Sequence, residues 1–293
     1  MKKTIKVVLT LMVSGILLVG CAGGQSSDAE VGGEISVISR EDGSGTRGAF
    51  VELLGIEEKD ASGNKVDHTT KEATIAPKTD VMITNVSGDE SAIGYVSIGS
   101  LSDNTKQIIK PLAIDGVEAT AENVKNGTYK IARPFNIATK GEPSGLTKDF
   151  ISYILSLQGQ EVVSESYISV KDDASSYSGE KLSGKIVIAG SSSVTPVIEK
   201  LKEAYIKINP EAEIEIQMSD STAGMNAAID GTCDIGMASR SLKESEKEQL
   251  EDIEIAIDGI AIVVNPKNSI EQITSEQVKE VFKGDIKAWS DIK

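Results

Sequence analysis

Three times in this chain a short apolar run ends in a knot of serine, threonine and glycine and passes straight into a helical pattern. Ile35–Ile38 leads into residues 39–47 (SREDGSGTR) and a helix through Phe50 to Leu54. Lys185–Ala189 leads into 190–196 (GSSSVTP), and Glu213–Gln217 into 218–224 (MSDSTAG), again with helices following. Strands that alternate with helices in this way build parallel sheets with helices on their faces, so the pattern predicts an α/β fold. Further strands are expected at Asp234–Met237 and across Ile255–Val264. After Thr195, the residues Val197, Ile198, Leu201, Tyr205 and Ile208 recur at spacings of three or four and predict one buried stripe. A helix starting at Thr274, with Gln277 completing a capping box, is expected to stop near Gly284.

The turns carry a chemistry of their own. The first turn of a helix has unpaired N–H groups and partial positive charge. Glycine lets a ligand approach the backbone, and Ser or Thr hydroxyls add donors that reorient readily. Such turns hold anions without a cluster of lysines. Arg40 adds a planar fork suited to an oxyanion, with Asp42 expected to hold it in position. A single turn of this kind is most simply an N-cap; three in one chain, one with an arginine, point to a binding site. None has the GxxxxGK pattern followed by Ser or Thr that cradles a nucleotide.

Composition narrows the choice by exclusion. The 293 residues hold 30 Lys+Arg against 45 Asp+Glu, a net charge of -15, which disfavours nucleic acid as a partner. The one histidine, His68, lies in a polar stretch (VDHTTK, 66–71) that reads as an exposed loop. It leaves a serine nucleophile without an evident base. Two cysteines supply neither a zinc cage nor a disulfide framework, and no metal or cofactor is expected. Cys233, between Thr232 and Asp234 before a strand, reads as a buried, inert thiol.

Residues 1–20 have the form of a secretory signal, with Lys2, Lys3 and Lys6 ahead of the apolar run Val7–Gly20, too short for a comfortable membrane span. The run ends in LVGC (18–21), which resembles a lipoprotein signal in which Cys21 is acylated and becomes the new N-terminus. Residues 21–33 then form a lipid-anchored Gly/Ser tether. Loss of Lys2, Lys3 and Lys6 takes the net charge from -15 to -18. The expected place of work is the extracytoplasmic face of the cell membrane. Residues 171–184 (KDDASSYSGEKLSG) lose all periodicity and read as an internal linker.

The stretches 185–196 (KIVIAGSSSVTP), 227–240 (AAIDGTCDIGMASR), 257–266 (IDGIAIVVNP), 37–47 (VISREDGSGTR) and 126–134 (NGTYKIARP) together resemble the phosphate-binding lipoproteins of bacterial ABC importers. In that family the GSSSVTP-type segment comes first and the DGSGTR-type segment follows a stretch with Trp. Here the order is rotated, and residues 287–293 (KAWSDIK) look like the stretch that belongs before Glu34. A circular permutation is one reading, favoured by the signal and lipobox placed ahead of the rotated start; an artefact of gene prediction or fusion is the other. The resemblance implies a two-lobed, type II periplasmic-binding-protein-like clamp with two hinge strands, near Lys130–Pro134 and Ile257–Ala261. One lobe would combine 34–130 with 259–293; the other would run from 131 to 258. Each comes to about 130 residues.

The resemblance further implies a dehydrated phosphate held between the lobes. Arg40, Ser44, Gly45 and Thr46 would bind it from one lobe; Ser192, Ser193, Ser221 and Ser239 from the other. Where many relatives place an Asp after the last serine, this chain has Arg240, a second positive contact or a surface ion pair. Asp220 and Asp258 are the substitute acceptors for the proton of hydrogen phosphate, or else structural residues. The implied partners are inorganic phosphate and an ABC permease, for a protein expected to be a monomer and not an enzyme. Sulfate or another tetrahedral oxyanion is the alternative ligand. A surface sensor or adhesin on the same fold, and a phosphatase or serine hydrolase using one of the turns, are the alternative functions.

Overall fold

The structure, a computed structural model, describes residues 33–171 and 173–292. The expected signal 1–20, Cys21 and all of the tether but residue 33 lie outside the described residues. The principal elements in chain order are β1 (Ser36–Arg40), α1 (Gly45–Leu53), β2 (Thr74–Ala76), α2 (Thr79–Gly88), β3 (Ala92–Ser97), β4 (Ala132–Thr139), α3 (Gly145–Ile154), α4 (Leu157–Ser164), β5 (Gly184–Ser191), α5 (Thr195–Ile208), β6 (Ala212–Ser219), α6 (Ser221–Asp230), β7 (Ile235–Ala238), β8 (Glu251–Val264) and α7 (Ser275–Lys283). No helix among the described residues is long and apolar enough to cross a membrane.

The main strands follow the order β6-β5-β7-β4-β8-β3-β1-β2. β5 lies parallel to β6 and β7, and β1 parallel to β2 and β3. Between these parallel groups runs β8, a single strand with two partners. From Glu251 to Gly259 it is antiparallel to β4; from Ile260 to Val264 it is antiparallel to β3. A side chain on Gly259, where the partner changes, would place its Cβ 2.2 Å from Ile98 Cδ1.

Two main cores form on either side of that change. One gathers buried residues from Ile35 to Ile131 and from Ile260 to Ile292, with Ile168 added from the other stretch through its backbone pairing with Ile257. The other gathers Phe135 to Ala256, with a smaller cluster under α6. These groups are called lobes below.

Local sequence explains the elements that frame the cleft. Val197, Ile198, Leu201 and Tyr205 of α5 are fully buried, but Ile208 is 43% exposed because the helix ends there and the stripe runs out to the surface. α6 starts at Ser221 on an Asp220 cap, inside the 218–224 stretch that it was expected to follow, and ends at Gly231 with φ 69°, a left-handed geometry suited to glycine. α7 has the expected Thr274–Gln277 capping box and its Gly284 terminator. Cys233 is buried, and burial pushes its thiol up to about 11. His68 is exposed, just after a short hairpin.

Two joins matter for the chain order. Residues 173–183 form no regular element, yet the ring of Tyr177 packs edge-on against Tyr153, and the hydroxyls of Tyr177 and Tyr205 both donate to Asp149 Oδ2. At the other end, Ile35 N donates to Lys287 O at 2.7 Å, Glu34 bridges Ala288, and Trp289 N donates to Gly33 O. The stretch around Trp289 therefore lies against the residues it was expected to precede.

Candidate functional site

The strand ends and helix starts converge where the lobes face each other. Arg40 closes β1 and is only 2% exposed. Its Nη2 donates to Ser192 Oγ at 3.1 Å, its Nη1 to Thr79 Oγ1 at 3.4 Å and its Nε to the carbonyl of Ala76. Thr46, in the first turn of α1, has its Oγ1 2.8 Å from Ser193 Oγ and 3.4 Å from Ser239 Oγ. Ser239 follows β7; its hydroxyl accepts from Ser191 Oγ at 3.0 Å, and its N–H donates to Ser221 Oγ at 3.1 Å. Thr79 Oγ1 lies 3.2 Å from Ser192 Oγ and 3.3 Å from Ser193 Oγ.

The starts of α1, α2, α5 and α6 thus surround one buried group of hydroxyls. Their N-termini concentrate partial positive charge there, and the hydroxyls can donate to or accept from whatever they meet. Close approach depends on glycine. A Cβ on Gly45 would lie 2.4 Å from Ser221 Oγ and 2.8 Å from Ser239 Oγ; Gly43 O accepts from Thr222 N of the facing helix.

Of the residues singled out from sequence, Arg40, Gly45, Thr46, Ser192, Ser193, Ser221 and Ser239 come together here. Ser44 is buried beside them, but its hydroxyl caps α1 by accepting from Arg47 N.

The carboxylates are arranged differently from expectation. Asp42 does not hold Arg40: its side chain is 96% exposed and pairs with Arg47. The adjacent Glu41 takes that place, accepting from Arg40 Nε and Nη2 at 2.8 Å each. One residue of register decides this, because only Glu41 sits close enough to the fork. Asp220 accepts from Ala223 N as the α6 cap. Arg240 is gripped by Glu246 through two bonds of 2.8 Å, and its Nη2 reaches Thr222 Oγ1 at 3.4 Å. Asp258 is buried next to the point where β8 changes partner, accepting from Arg133 Nη2 at 3.0 Å and Ser97 Oγ at 2.8 Å. Burial pushes its carboxyl up, and Arg133 opposes that shift.

Several site residues were not picked out from sequence. Thr79 follows a fourth strand-to-helix turn, hidden because β2 has three residues and α2 is weakly amphipathic. Ser191 stands in the recognised GSSSVTP turn but one position earlier than the residues chosen. Tyr95, whose hydroxyl accepts from Arg40 N at 3.0 Å and lies 3.0 Å from Ser39 Oγ, is a core residue of β3 with no local signal; burial pushes it up to about 12. Arg133, the partner of Asp258, lies in the expected hinge stretch Lys130–Pro134 but was not singled out within it. No cluster of His, Cys, Asp and Glu that could hold a metal occurs among the described residues.

Comparison with known proteins identifies the family. A family model described as a PBP superfamily domain matches residues 22–157 and 175–293. The phosphate-binding protein PstS 2 of Streptococcus agalactiae serotype V is 51% identical over 291 residues, 98% of each chain. The protein of the same name from Streptococcus pneumoniae serotype 4 is 45% identical over 284 residues, 96% of each chain. A crystal structure of the phosphate-binding protein of a phosphate ABC transporter from S. pneumoniae TIGR4 is 45% identical, covers 89% of this chain and 100% of its own, and superposes with a TM-score of 0.69. Alignments that run the full length place the same segment order in those streptococcal chains, so the order is not an artefact of this one sequence. A family model over most of the chain and relatives of 45% and 51% identity together show the family: the chain belongs to the PBP superfamily and, within it, to the family of the phosphate-binding proteins PstS.

Proposed function

We propose that this protein captures inorganic phosphate between its lobes, outside the cytoplasmic membrane, and delivers it to the permease of an ABC importer. The observation that carries the reading is the meeting of Arg40 and Thr46 from one lobe with Ser192, Ser193 and Ser239 from the other. A tetrahedral oxyanion presents four oxygens to such a ring of donors, and charge-assisted bonds to Arg40 add strength. The relatives' names supply the ligand. Binding and release need no nucleophile or base, and His68 is exposed while the hydroxyls are buried; the protein works as a receptor, not as an enzyme.

The site residues of this reading are Arg40, Ser44, Gly45, Thr46, Ser192, Ser193, Ser221 and Ser239, now joined by Thr79 and Ser191. The lobes comprise 34–130 with 259–293, and 131–258, in a rotated order joined through 171–184. Cleavage after residue 20 and acylation of Cys21 hold the protein, as a monomer, at the membrane.

One observation favours sulfate as a second ligand. Arg240 stands where an Asp was expected, and the bonded partners of the site hydroxyls are other hydroxyls, backbone groups and Arg40 rather than carboxylates. Calorimetry of the full chain in detergent with phosphate and with sulfate tests both. Phosphate preferred over sulfate is the expected result. Equal affinities remove the selectivity, and no binding of phosphate overturns the reading.

A further inference from the structure

One buried charge has more hydrogen-bonding capacity than the protein uses. The Arg133 side chain is 1% exposed, and of its three guanidinium nitrogens only Nη2 has a bonded partner, Asp258. Nε and Nη1 are buried without one. Buried donors are paired in nearly all native structures, and an unpaired pair of N–H-bearing nitrogens on a cation is among the costliest exceptions. Asp258 cannot satisfy them as placed, since its other oxygen accepts from Ser97 Oγ and lies 3.5 Å from Gly99 N.

The position of this arginine points to what does. Arg133 and Asp258 face each other across β4 and β8, within the change-over between the two cores. β4 pairs antiparallel with β7, with Asn136 opposite Ala238, the residue before Ser239. Arg133 is three residues upstream of Asn136, so it lies beyond the end of β7, on the side where Ser239 and the helix starts meet. Burial holds the Arg133 guanidinium below its ordinary value, Asp258 opposes that shift, and the positive charge of Arg40 adds a smaller lowering.

We propose that Arg133 is a second cationic contact for the bound oxyanion, reaching it with Nε or Nη1 from the hinge side, and that Asp258 is the positioning residue that holds its guanidinium there. This rests on the phosphate reading above. Arg40 and Arg133 each face one carboxylate, but Arg40 spends Nε and Nη2 on Glu41, whereas Arg133 is bonded to Asp258 through Nη2 alone and keeps Nε and Nη1 to donate. Because Arg133 sits on a hinge strand and Asp258 also takes Ser97 from the other lobe, the contact would form only when the lobes are aligned.

The test is calorimetry with inorganic phosphate on the full chain in detergent, with thermal unfolding of each variant recorded without phosphate. The double variant Arg133→Met/Asp258→Asn removes both charges, so no lone ion is left buried; a folded double variant is expected to lose about 100-fold in affinity. Asp258→Asn alone leaves Arg133 charged but without the carboxylate that holds it, and is expected to weaken affinity about tenfold, less than the double variant. Arg133→Lys keeps the ion pair without the fork, and is expected to bind at least tenfold more weakly at an unchanged unfolding midpoint; it decides the matter if the double variant fails to fold. Wild-type affinity in the folded double variant, or in Arg133→Lys, overturns the role of Arg133 while leaving the phosphate reading intact. Loss in Asp258→Asn equal to that of the double variant also overturns it, in favour of a purely mechanical hinge pair. A wild-type chain that binds no phosphate overturns the phosphate reading and this one with it.

Discussion

Arg40 Nη2 and Ser192 Oγ are 3.1 Å apart although 152 residues separate them, and each belongs to a different lobe. Arg40 therefore joins the lobes and, in the phosphate reading, brings positive charge to the anion. Replacing it with alanine should weaken phosphate binding by about 2–5 kcal/mol, the usual cost of truncating one partner of a buried charged contact. Calorimetry measures this directly; unchanged affinity would place Arg40 outside the site.

Gly45 sets how closely the lobes meet. In Gly45→Ala the new methyl would collide with Ser221 and Ser239, both held in place by hydrogen bonds. The expected outcome is a folded protein that closes incompletely, with affinity reduced tenfold or more, about 1.4 kcal/mol. Phosphate titration followed by small-angle scattering checks it, since the variant should fail to compact.

Glu41 holds the place beside Arg40 that sequence alone assigned to Asp42, and Asp42 pairs with Arg47 instead. Glu41→Ala should weaken phosphate binding, because Arg40 loses the carboxylate that orients its fork. Asp42→Ala removes an exposed partner of Arg47 and should change affinity by less than about twofold. Equal effects from both would return Asp42 to the supporting position.

Much of this architecture was legible because it is written locally. A strand ending in GSSSVTP, a Thr274–Gln277 capping box and a stripe at Val197, Ile198, Leu201 and Tyr205 each declare themselves within a few residues. The parts that were hidden depend on distant chain. Nothing near Tyr95 tells that its hydroxyl supports the backbone of Arg40, 55 residues away. The choice between Glu41 and Asp42 needs the backbone path, since adjacent residues face different ways. Ile208 misleads for the opposite reason: periodicity continues to the helix end, where there is no longer a core to cover it.

The Arg240–Glu246 pair predicts a pH response in the second lobe. Burial would raise the Glu246 carboxyl, but the fork of Arg240 and the Lys243 N–H outweigh it and hold the carboxyl below its ordinary value. A carboxyl lowered by folding contributes stability that is fully present above its unfolded value, 4.5, and is lost as pH falls through the lower folded value. The wild-type melting temperature should drop across that acid window. Glu246→Gln should melt lower at neutral pH and show a shallower acid decline; an identical slope would dissociate the pair from acid stability.

The two-partner pairing of β8 implies an order of assembly. The lobe built from Phe135 to Ala256 is complete once the first half of β8 has been made, and its contacts lie within one continuous span of chain. The other lobe lacks Ile260–Val264, the strand that pairs with β3, together with α7 and Trp289, until the last residues are synthesised. Domains fold as units during synthesis, N-terminal parts usually first. Here the expected order is the reverse: as the chain emerges, the residues that come first wait, and the lobe encoded in the middle should mature before the one ahead of it.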